Sequence, residues 1–378
     1  MKVLVVNAGS SSLKLRLLGD ENMLLCSADL SADADGFDTG ALTDAISGWP
    51  SPDVIGHRIV HGGVLFTGPT RITVEVEQQL QELTALAPLH QPKSLAGLAA
   101  VSAQLPDVPA IACFDTAFHA TIPAAAATYA IPAQWRERYH IRRYGFHGLS
   151  HAYAFARGAE LAGRPADKLR IVTCHLGAGA SLCEVVGGRS VDTTMGFTPL
   201  EGLVMATRSG SIDPGLVLWL EEHEHLSPRE VAIALEQQSG LLALGGTADM
   251  QEIVDRTAAS DSRAQLALEV YIHRLAGAIA AMTAATGGLD LLVFTGGVGE
   301  HCATVRSLVA QRLHWAGVGI DDEGNRNADG DCDISSRSRD GSATGGGETD
   351  DAAVRVVVVE AREDIQIANE VRAIELPD

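Results

Sequence analysis

One local pattern occurs twice in this chain of 378 residues, and it constrains the fold more than any other feature. Residues 2–6 are an apolar run, a turn of small residues follows, and residues 13–17 alternate apolar and polar side chains. The same order of apolar run, Gly-rich turn and second strand returns at residues 169–186. Such runs predict a buried strand paired with a half-buried one. The repeat therefore predicts two related α/β domains, each beginning with a β-hairpin.

The remaining elements alternate between helix and strand. An N-terminal domain is expected to take residues 1–118 plus 364–378, and a second domain residues 119–363. Residues 325–353 are poor in apolar side chains and predict an exposed loop. Helices are predicted over residues 76–87, 94–105, 228–238 and 262–286, after Gly299 and from Glu363, and strands over residues 110–114, 190–193, 291–294 and 354–359.

Composition excludes several classes of function. The formal net charge is −20, from 28 basic and 48 acidic residues, which argues against nucleic-acid or membrane-surface binding. No run of about 18 apolar residues predicts a membrane span. The first residues pass directly into a predicted strand, so no signal peptide is expected. Six scattered cysteines without C-x-x-C spacing indicate a reducing compartment, the cytoplasm by default.

Three turns of small residues could hold an anion, at residues 7–14, 175–181 and 295–300. Their backbone amides can face phosphate oxygens, and Lys14 would add charge. The first is equally consistent with a solvated hairpin turn, and none is a Walker loop. The other two fail the dinucleotide G-x-G-x-x-G pattern, at Leu182 and Cys302. Three such turns in a duplicated α/β frame favour a nucleotide as ligand.

Two arginines and one carboxylate complete the candidate chemistry. Arg58 and Arg208 lie among small polar residues, which suits capture of carboxylate or phosphoryl oxygens. A surface ion pair is the commoner role for either arginine alone. Asp115 follows an apolar run, where α/β sheets place metal or base residues, although a helix cap is the alternative. His147 lies between glycines, and no H-E-x-x-H pattern predicts zinc.

Taken in order along the chain, these motifs resemble the acetokinase family, the acetate kinases of the acetate and sugar kinase/Hsp70/actin superfamily. The resemblance implies an α/β fold of two duplicated ribonuclease H-like (actin-like ATPase) domains with an interdomain cleft. The matching segments are NAGSSSLK at 7–14, GHRIVHGG at 56–63, LAPLH at 86–90, FDTAFH at 114–119, RRYGFHGLSH at 142–151, HLGAGAS at 175–181, MGFTPLEGL at 195–203, TRSGSIDP at 207–214 and FTGGVGE at 294–300.

The resemblance implies reversible transfer of a phosphoryl group from ATP to acetate with Mg²⁺, Mn²⁺ being a possible substitute. It implies catalytic roles for Asp115, His147 and Arg208, with Arg58 on the acetate carboxylate. It also implies a homodimer that binds acetate and ATP. The acetate methyl pocket would comprise Val60, Leu89, Phe146 and Pro199, the metal ligands Asn7 and Glu363, and the ATP site Ser12, Lys14, His175, Leu176, Gly177, Ala178, Gly179, Asp249, Met250, Gln251, Gly297, Val298, Gly299, Glu300 and His301.

Phosphoryl transfer needs alignment and neutralisation of charge more than covalent chemistry from the protein. Acetate is already a carboxylate near pH 7, so no base is needed to activate it. We therefore expect Asp115 to organise the metal and the arginines, and not to accept a proton.

Four positions depart from the family pattern. Ala178 replaces an asparagine, Gln251 an arginine and His301 an asparagine, and Arg362 changes the residue before Glu363. Loss of one polar contact to a charged phosphate costs about 1.5–3 kcal/mol, so we expect weakened or altered use of the nucleotide. The alternatives left open are a propionate or butyrate kinase, a catalytically weakened nucleotide-binding homologue, and a phosphatase-like hydrolase of the same superfamily.

Overall fold

The computed structural model of the chain describes residues 1–9, 12–33, 36–37, 39–87, 91–336 and 354–374. The chain divides into two compact units. Unit 1 comprises residues 1–120, 129–153 and 362–378, and unit 2 comprises residues 121–128 and 154–361.

The strands are β1 (Val3–Ala8), β2 (Ser12–Leu18), β3 (Leu24–Asp33), β4 (Gly36–Phe37), β5 (Val54–Ile59), β6 (Thr70–Arg71), β7 (Ala110–Phe114), β8 (Arg170–Leu176), β9 (Ala180–Val186), β10 (Arg189–Thr193), β11 (Leu291–Thr295), β12 (Cys332–Asp333) and β13 (Arg355–Val358).

The α-helices are α1 (Thr39–Ile46), α2 (Val74–Glu82), α3 (Gln91–Gln104), α4 (Ala124–Ala127), α5 (Ala133–Tyr139), α6 (Gly148–Ala162), α7 (Pro214–His223), α8 (Pro228–Gln237), α9 (Gly240–Gly245), α10 (Met250–Ala258), α11 (Ser262–Thr286), α12 (Gly296–His301), α13 (Ala303–Arg312), α14 (Asp322–Arg326) and α15 (Glu363–Ala373). Short 3-10 helices cover Asp20–Asn22, Leu83–Leu86, Ala117–Thr121, Ala166–Lys168 and His314–Ala316.

The two units contain sheets of the same design. In unit 1 the strand order is β4-β3-β2-β1-β5-β7-β6, and in unit 2 it is β10-β9-β8-β11-β13-β12. Each sheet begins with an antiparallel meander, of three strands in unit 2 and of four in unit 1, where β4 is the additional strand. Two strands parallel to the first strand of the meander follow, and then a short antiparallel edge strand. The prediction of two duplicated α/β domains, each beginning with a β-hairpin, is confirmed.

Helix packing on each of the two sheets relies on a glycine, on the strand in unit 1 and on the helix in unit 2. In unit 1, α15 packs on β1, β5 and β7, and a Cβ on Gly56 of β5 would lie 2.6 Å from Ile367 of that helix. In unit 2, a Cβ on Gly158 of α6 would lie 2.7 Å from Val293 of β11. Helix and strand therefore approach too closely for a larger side chain at either position. The buried apolar residues of β1, β5 and β7 form the unit 1 core with Ile367 and its helical neighbours.

Some predicted elements differ from those observed. The helix expected over residues 94–105 is α3, which begins at Gln91 and ends at Gln104. The helix expected over residues 76–87 begins at Val74 and tightens into a 3-10 helix from Leu83. The segment 295–300, expected to lie before a helix, itself forms α12. Gly296 makes this abrupt turn possible, because its φ is +77° and a Cβ there would lie 2.8 Å from the carbonyl oxygen of Leu176. The helix therefore starts directly at the end of β11.

The compact units also differ from the predicted domain boundaries. Residues 129–153, which the sequence assigns to the second domain, belong to unit 1 by their packing. The Gly148 amide donates to the Asp115 carbonyl oxygen at 2.8 Å, and the His119 ring nitrogen lies 2.9 Å from the Phe146 carbonyl oxygen. These bonds hold the segment against the end of β7. The domain boundary between residues 118 and 119 stays a prediction.

One helix, Ser262–Thr286, is long and apolar enough by length and composition to cross a membrane. Nine of its residues are buried, so it has the character of a core helix in unit 2. Its predicted bounds agree with those observed, and Gly287 ends it at a φ of +75°. The predicted loop at 325–353 contains α14 and β12 at its start, and residues 337–353 lie outside the described residues.

Candidate active site

A cluster of two carboxylates, one arginine and one amide lies in unit 1, where β1, β5, β7 and α15 end or begin. Arg58 Nε donates to Asp115 Oδ1 at 3.0 Å, and its terminal nitrogen donates to Asp115 Oδ2 at 2.6 Å. A second terminal nitrogen donates to Asn7 Oδ1 at 3.1 Å and lies 3.7 Å from Glu363 Oε2. Asn7 Nδ2 donates to the same Glu363 oxygen at 2.8 Å. The parallel register of β1, β5 and β7 brings these residues together from sequence positions over 350 apart.

Burial makes this cluster electrostatically unusual. Asp115 is 1% exposed, and burial raises its pKa, with Glu363 adding to the rise and Arg58 opposing it. Burial alone would lower the pKa of Arg58, but Asp115 and Glu363 outweigh that effect and raise it above its usual value. One guanidinium therefore balances two carboxylates. The cluster therefore has excess negative charge, and a pair of carboxylates with excess negative charge binds a metal cation.

His147 has an unusual backbone conformation beside Asp115. Its φ is +57°, and its neighbour Gly148 approaches so closely that a Cβ would lie 2.3 Å from the Asp115 carbonyl oxygen. The His147 carbonyl oxygen accepts from the His151 amide at 2.9 Å as α6 begins. A left-handed residue outside glycine is uncommon and is retained at functional turns. The strained backbone of His147 and the close approach of Gly148 together fix the position of the His147 backbone, from which the imidazole extends, relative to Asp115.

Aromatic and histidine rings line the same part of unit 1. His61 packs edge-on against Tyr144 and Phe146, with ring centroids 4.6 and 5.4 Å apart. Burial lowers the pKa of His57 to about 3 and those of His61 and His119 to about 4, so all three are neutral near pH 7.

Of the four predicted pocket residues, two lie in unit 1 beside the cluster. Phe146 is buried against the His61 ring, and Val60 directly follows β5 with its side chain half-buried. Pro199 belongs to unit 2, where its carbonyl oxygen accepts from Arg208 at 2.8 Å. Leu89 lies outside the described residues.

The predicted phosphate residues of the first hairpin lie at the start of β2. Lys14 is exposed and stands opposite Asn7 on β1 and Asp29 on β3. The pKa of Asp29 is lowered mainly by the hydrogen bond from Arg16, and the charges of Arg16 and Lys14 lower it further. Ser12 is half-buried where the strand begins.

Unit 2 brings two of its predicted nucleotide segments together. The strands β8 and β11 run parallel with Thr295 opposite His175, so residues 175–179 and 296–301 leave the sheet at the same edge. Gly296 packs directly on Leu176. A Cβ on Gly297 would meet nothing within 4 Å, which leaves open space for a ligand above the start of α12. The carboxyl edge of parallel strands is where α/β sheets bind ligands.

Arg208 lies on a loop attached to this edge. The amide of Ala206 donates to the Ala178 carbonyl oxygen at 3.1 Å, which ties that loop to the turn after β8. Burial lowers the pKa of Arg208, and Glu236 opposes the change. Its guanidinium is thus a partly desolvated cation in a fixed loop, suited to an anionic oxygen.

The third predicted nucleotide segment lies at the start of α10. Asp249 caps α10, accepting from the Glu252 amide at 3.1 Å, and Met250 is buried behind it. Gln251 is exposed and donates to Asp255 at 2.9 Å.

The departures from the family pattern are surface or local features in the structure. Ala178 and His301 are exposed, and Arg362 forms a two-pronged pair with Asp364, with both nitrogen–oxygen distances 2.9 Å. Glu363 itself keeps its place against Asn7. The changed neighbour therefore leaves the carboxylate of the cluster in position.

A metal fits the cluster only with help from a substrate. Among the described residues, no group of three or more His, Cys, Asp or Glu side chains could hold an ion. Asn7 and Glu363 each offer an oxygen, and the two side chains lie side by side, with Asn7 Nδ2 2.8 Å from Glu363 Oε2, in a cluster with excess negative charge. Mg²⁺ typically takes one or two protein oxygens and completes its shell with water and substrate phosphates. The donor set fits that mode of binding.

Sequence reasoning missed several residues that hold the site. Gln91 is buried and donates to the carbonyl oxygens of His61 and Leu80, while Thr116 accepts from the Gly62 amide at 3.0 Å. Arg306 and Asn325 are buried in unit 2 beside α12. Their polar side chains stand at apolar positions of their helices, but periodicity alone does not separate such residues from surface ones.

The chain is similar to a family of known enzymes. The model of the Acetokinase family matches residues 41–369. An acetate kinase from Nostoc sp. is 45% identical over 319 residues, covering 84% of this chain and 75% of that protein. The crystal structure of Porphyromonas gingivalis acetate kinase is 35% identical with a TM-score of 0.86, over 99% of both chains. That of a propionate kinase from Francisella tularensis is 34% identical with a TM-score of 0.88, over 98% of both chains.

Proposed function

The chain belongs to the acetokinase family, and from this we propose that it is a phosphotransferase with a carboxyl group as acceptor, an acetate kinase. The reaction is reversible transfer of the terminal phosphoryl group of ATP to acetate, giving acetyl phosphate and ADP. The single observation that carries the proposal is the buried cluster of Arg58, Asp115, Asn7 and Glu363. Its arginine suits a carboxylate, and its carboxylates suit a metal–phosphate complex.

Arg58 is proposed to bind the acetate carboxylate. Asp115 holds Nε and one terminal nitrogen of its guanidinium, which fixes the plane of the group. The third nitrogen donates to the Asn7 amide oxygen at 3.1 Å and lies 3.7 Å from Glu363, so a substrate anion would take the place of Asn7 as its acceptor. Val60 and Phe146 would then contact the methyl group, together with Leu89 and Pro199.

Asp115 is proposed to position Arg58 and the metal and not to act as a base. Its two-pronged pair with Arg58 occupies both of its oxygens, and acetate carries no proton to remove near pH 7. Both facts support an organising role.

Mg²⁺ is proposed to bind Asn7 and Glu363 together with the nucleotide phosphates, and Mn²⁺ could replace it. When bound, the ion would neutralise phosphate charge and orient the transferring group. Asn7 would have to exchange its bond from Arg58 for the ion, and that exchange frees the same guanidinium nitrogen for acetate.

The nucleotide is proposed to bind residues 175–179, 249–251 and 297–301, with Ser12 and Lys14 on its phosphates. The shared sheet edge of His175 and Gly297 supports this, as does the open space at Gly297. Arg208 and His147 are proposed to stabilise the transferring phosphoryl group, since both are held by backbone contacts that limit their reach. Preorganised donors of this kind lower the barrier without reorganising during the step.

A propionate kinase is the second candidate, because a structure of such an enzyme is 34% identical with a TM-score of 0.88. One methylene changes discrimination by only about 1–3 kcal/mol, so propionate is expected as a poorer substrate of the same site. A homologue weakened in nucleotide use is favoured only by Ala178, Gln251 and Arg362. Location in the cytoplasm, a homodimer, and the absence of nucleic-acid or membrane binding remain part of the proposal.

The test is phosphoryl transfer from Mg-ATP to acetate, with acetyl phosphate trapped as the hydroxamate. Propionate, butyrate and no acid are run beside it. Acetate-dependent hydroxamate, lost in Arg58→Met, is the expected result. Nucleotide binding without any acid-dependent product would refute the proposed activity in favour of the weakened homologue.

A further inference from the structure

Unit 2 contains a buried arginine, Arg306, that is not one of the proposed active-site residues. Arg306 lies on α13 and is 1% exposed, which makes it the largest of the fully buried side chains. Among the described residues, no carboxylate forms an ion pair with it. A buried cation without a counter-charge is costly, and an apolar side chain of similar volume would usually be more stable. The retention of such a residue calls for a role beyond packing.

Its contacts are directed at one end of α12. One terminal nitrogen of Arg306 donates to the carbonyl oxygens of Gly299 and Glu300, at 2.8 and 2.7 Å. These carbonyls belong to the last turn of a six-residue helix, where no intrahelical donor is available. A helix so short is not stable by itself and depends on contacts from outside. Arg306 supplies that contact from the buried side.

Asn325 of α14 fixes the guanidinium in turn. Its side-chain oxygen accepts from Arg306 Nε at 2.7 Å, and its backbone oxygen accepts from the other terminal nitrogen at 2.7 Å. Its amide nitrogen donates to the Ala303 carbonyl oxygen and the Ser307 hydroxyl. Asn325 is itself 1% exposed, so the whole network is removed from water. In a medium of low polarity these bonds hold a single geometry.

We propose that Arg306, oriented by Asn325, is a positioning residue that holds residues 297–301 in the geometry that binds the nucleotide. The inference rests on the proposed function, which assigns that segment to ATP. The far side of α12 is open at Gly297 and His301, so the buried network fixes the segment from behind while the ligand approaches from the front. A second tie, from the Ala361 amide to the Glu300 side chain at 3.0 Å, leaves the end of α12 fixed at two points.

The chain offers a matched control in Arg170. It also lies in unit 2, donates to a carboxylate, Asp290, and to the Gly287 carbonyl oxygen at the end of a helix. It stands at the start of β8, while residues 175–179 and 297–301 lie at the other end of the same strands. The Arg170 side chain is 37% exposed, so Arg170→Met removes a similar set of hydrogen bonds at a less buried position, without touching the proposed nucleotide segment.

The test measures equilibrium binding of a fluorescent ADP analogue with Mg²⁺, alongside the KM for acetate at saturating ATP. Arg306→Met is expected to weaken ADP binding about tenfold or more, because two carbonyls lose their donor. The KM for acetate should stay within twofold. Arg306→Lys keeps one donor group and should weaken ADP binding less than the methionine variant. Arg170→Met should lower thermal stability and leave ADP affinity within twofold.

Two results would overturn the inference: unchanged ADP affinity in folded Arg306→Met, or a parallel rise of the acetate KM with the ADP dissociation constant. If the methionine variant does not fold, Arg306→Lys carries the same comparison, and wild-type ADP affinity in that variant refutes the role. Failure of the proposed function looks different. The wild-type protein would then bind ADP, and lose that binding on Arg306→Met, while forming no acetyl phosphate.

Discussion

Replacing Asp115 by asparagine separates a positioning role from that of a base. The wild-type carboxylate accepts from two nitrogens of Arg58, at 3.0 and 2.6 Å, while 1% exposed. Asparagine can accept only one of those bonds, and its amide group would face the second guanidinium nitrogen, donor against donor. Breaking a buried pair from one side costs about 3–5 kcal/mol, part of which Glu363 can recover from 3.7 Å.

The consequence for activity follows from the freedom that Arg58 gains. A guanidinium no longer held by two bonds binds acetate in several orientations, so the KM for acetate should rise and kcat should fall. A misplacement of about 1 Å costs about 100-fold in rate, and we expect a loss of that size or more. The KM for ATP should change much less, because Asp115 touches none of residues 175–179 or 297–301 in the proposal.

The assay is hydroxamate formation over a range of acetate concentrations. Asp290→Asn is the matched control, since Asp290 forms a similar two-pronged pair with Arg170 in unit 2. That variant should lose stability and keep its activity. Near-normal turnover by Asp115→Asn would refute the reasoning. A loss confined to kcat that hydroxide or an added base restores would instead assign Asp115 as a proton acceptor.

Three further predictions concern ligand affinity and stability. Ala178→Asn should tighten ADP binding by about tenfold, measured with the fluorescent analogue, because a polar contact to phosphate is worth about 1.5–3 kcal/mol; no change would remove position 178 from the nucleotide site. Gly148→Ala should lower the free energy of unfolding in urea by about 1–3 kcal/mol, because its Cβ would lie 2.3 Å from the Asp115 carbonyl oxygen, and wild-type stability would contradict the close approach. Buried His57, His61 and His119 have pKa values lowered to about 3 to 4, so the unfolded chain binds more protons below pH 6.5. The contribution of these histidines to the free energy of unfolding should therefore be constant above about pH 7 and should fall between pH 6.5 and 4. Urea titration at several pH values measures it, and a flat profile would count against neutral buried histidines.

The sequence predicted the duplicated sheets well because the information was local. Apolar runs at residues 2–6 and 169–174 could only be buried strands, and the small-residue turns after them fixed the hairpins. The end of α11 at Gly287 was equally clear. Short apolar runs, such as residues 291–294, also became strands, since the flanking glycines set their length.

The four residues of the cluster were named from the sequence, Asn7 and Glu363 through the family resemblance, and their roles stay predictions, but the bonds among them were not predicted. Asn7, Arg58, Asp115 and Glu363 were each identified, and only the parallel register of three strands and a helix from the other end of the chain brings them together. The helical form of residues 296–301 was missed because its start depends on a close approach to Leu176, which no local pattern records. The Arg306–Asn325 network could not be predicted from the sequence for the same reason.

The central claim is that this chain transfers a phosphoryl group from ATP to acetate. The most direct measurement is acetyl phosphate formation from Mg-ATP, trapped as the hydroxamate, with acetate, propionate, butyrate or no acid. We expect product that depends on acetate, falls as the acyl chain lengthens, and is lost in Arg58→Met. ADP binding without product from any acid would contradict it.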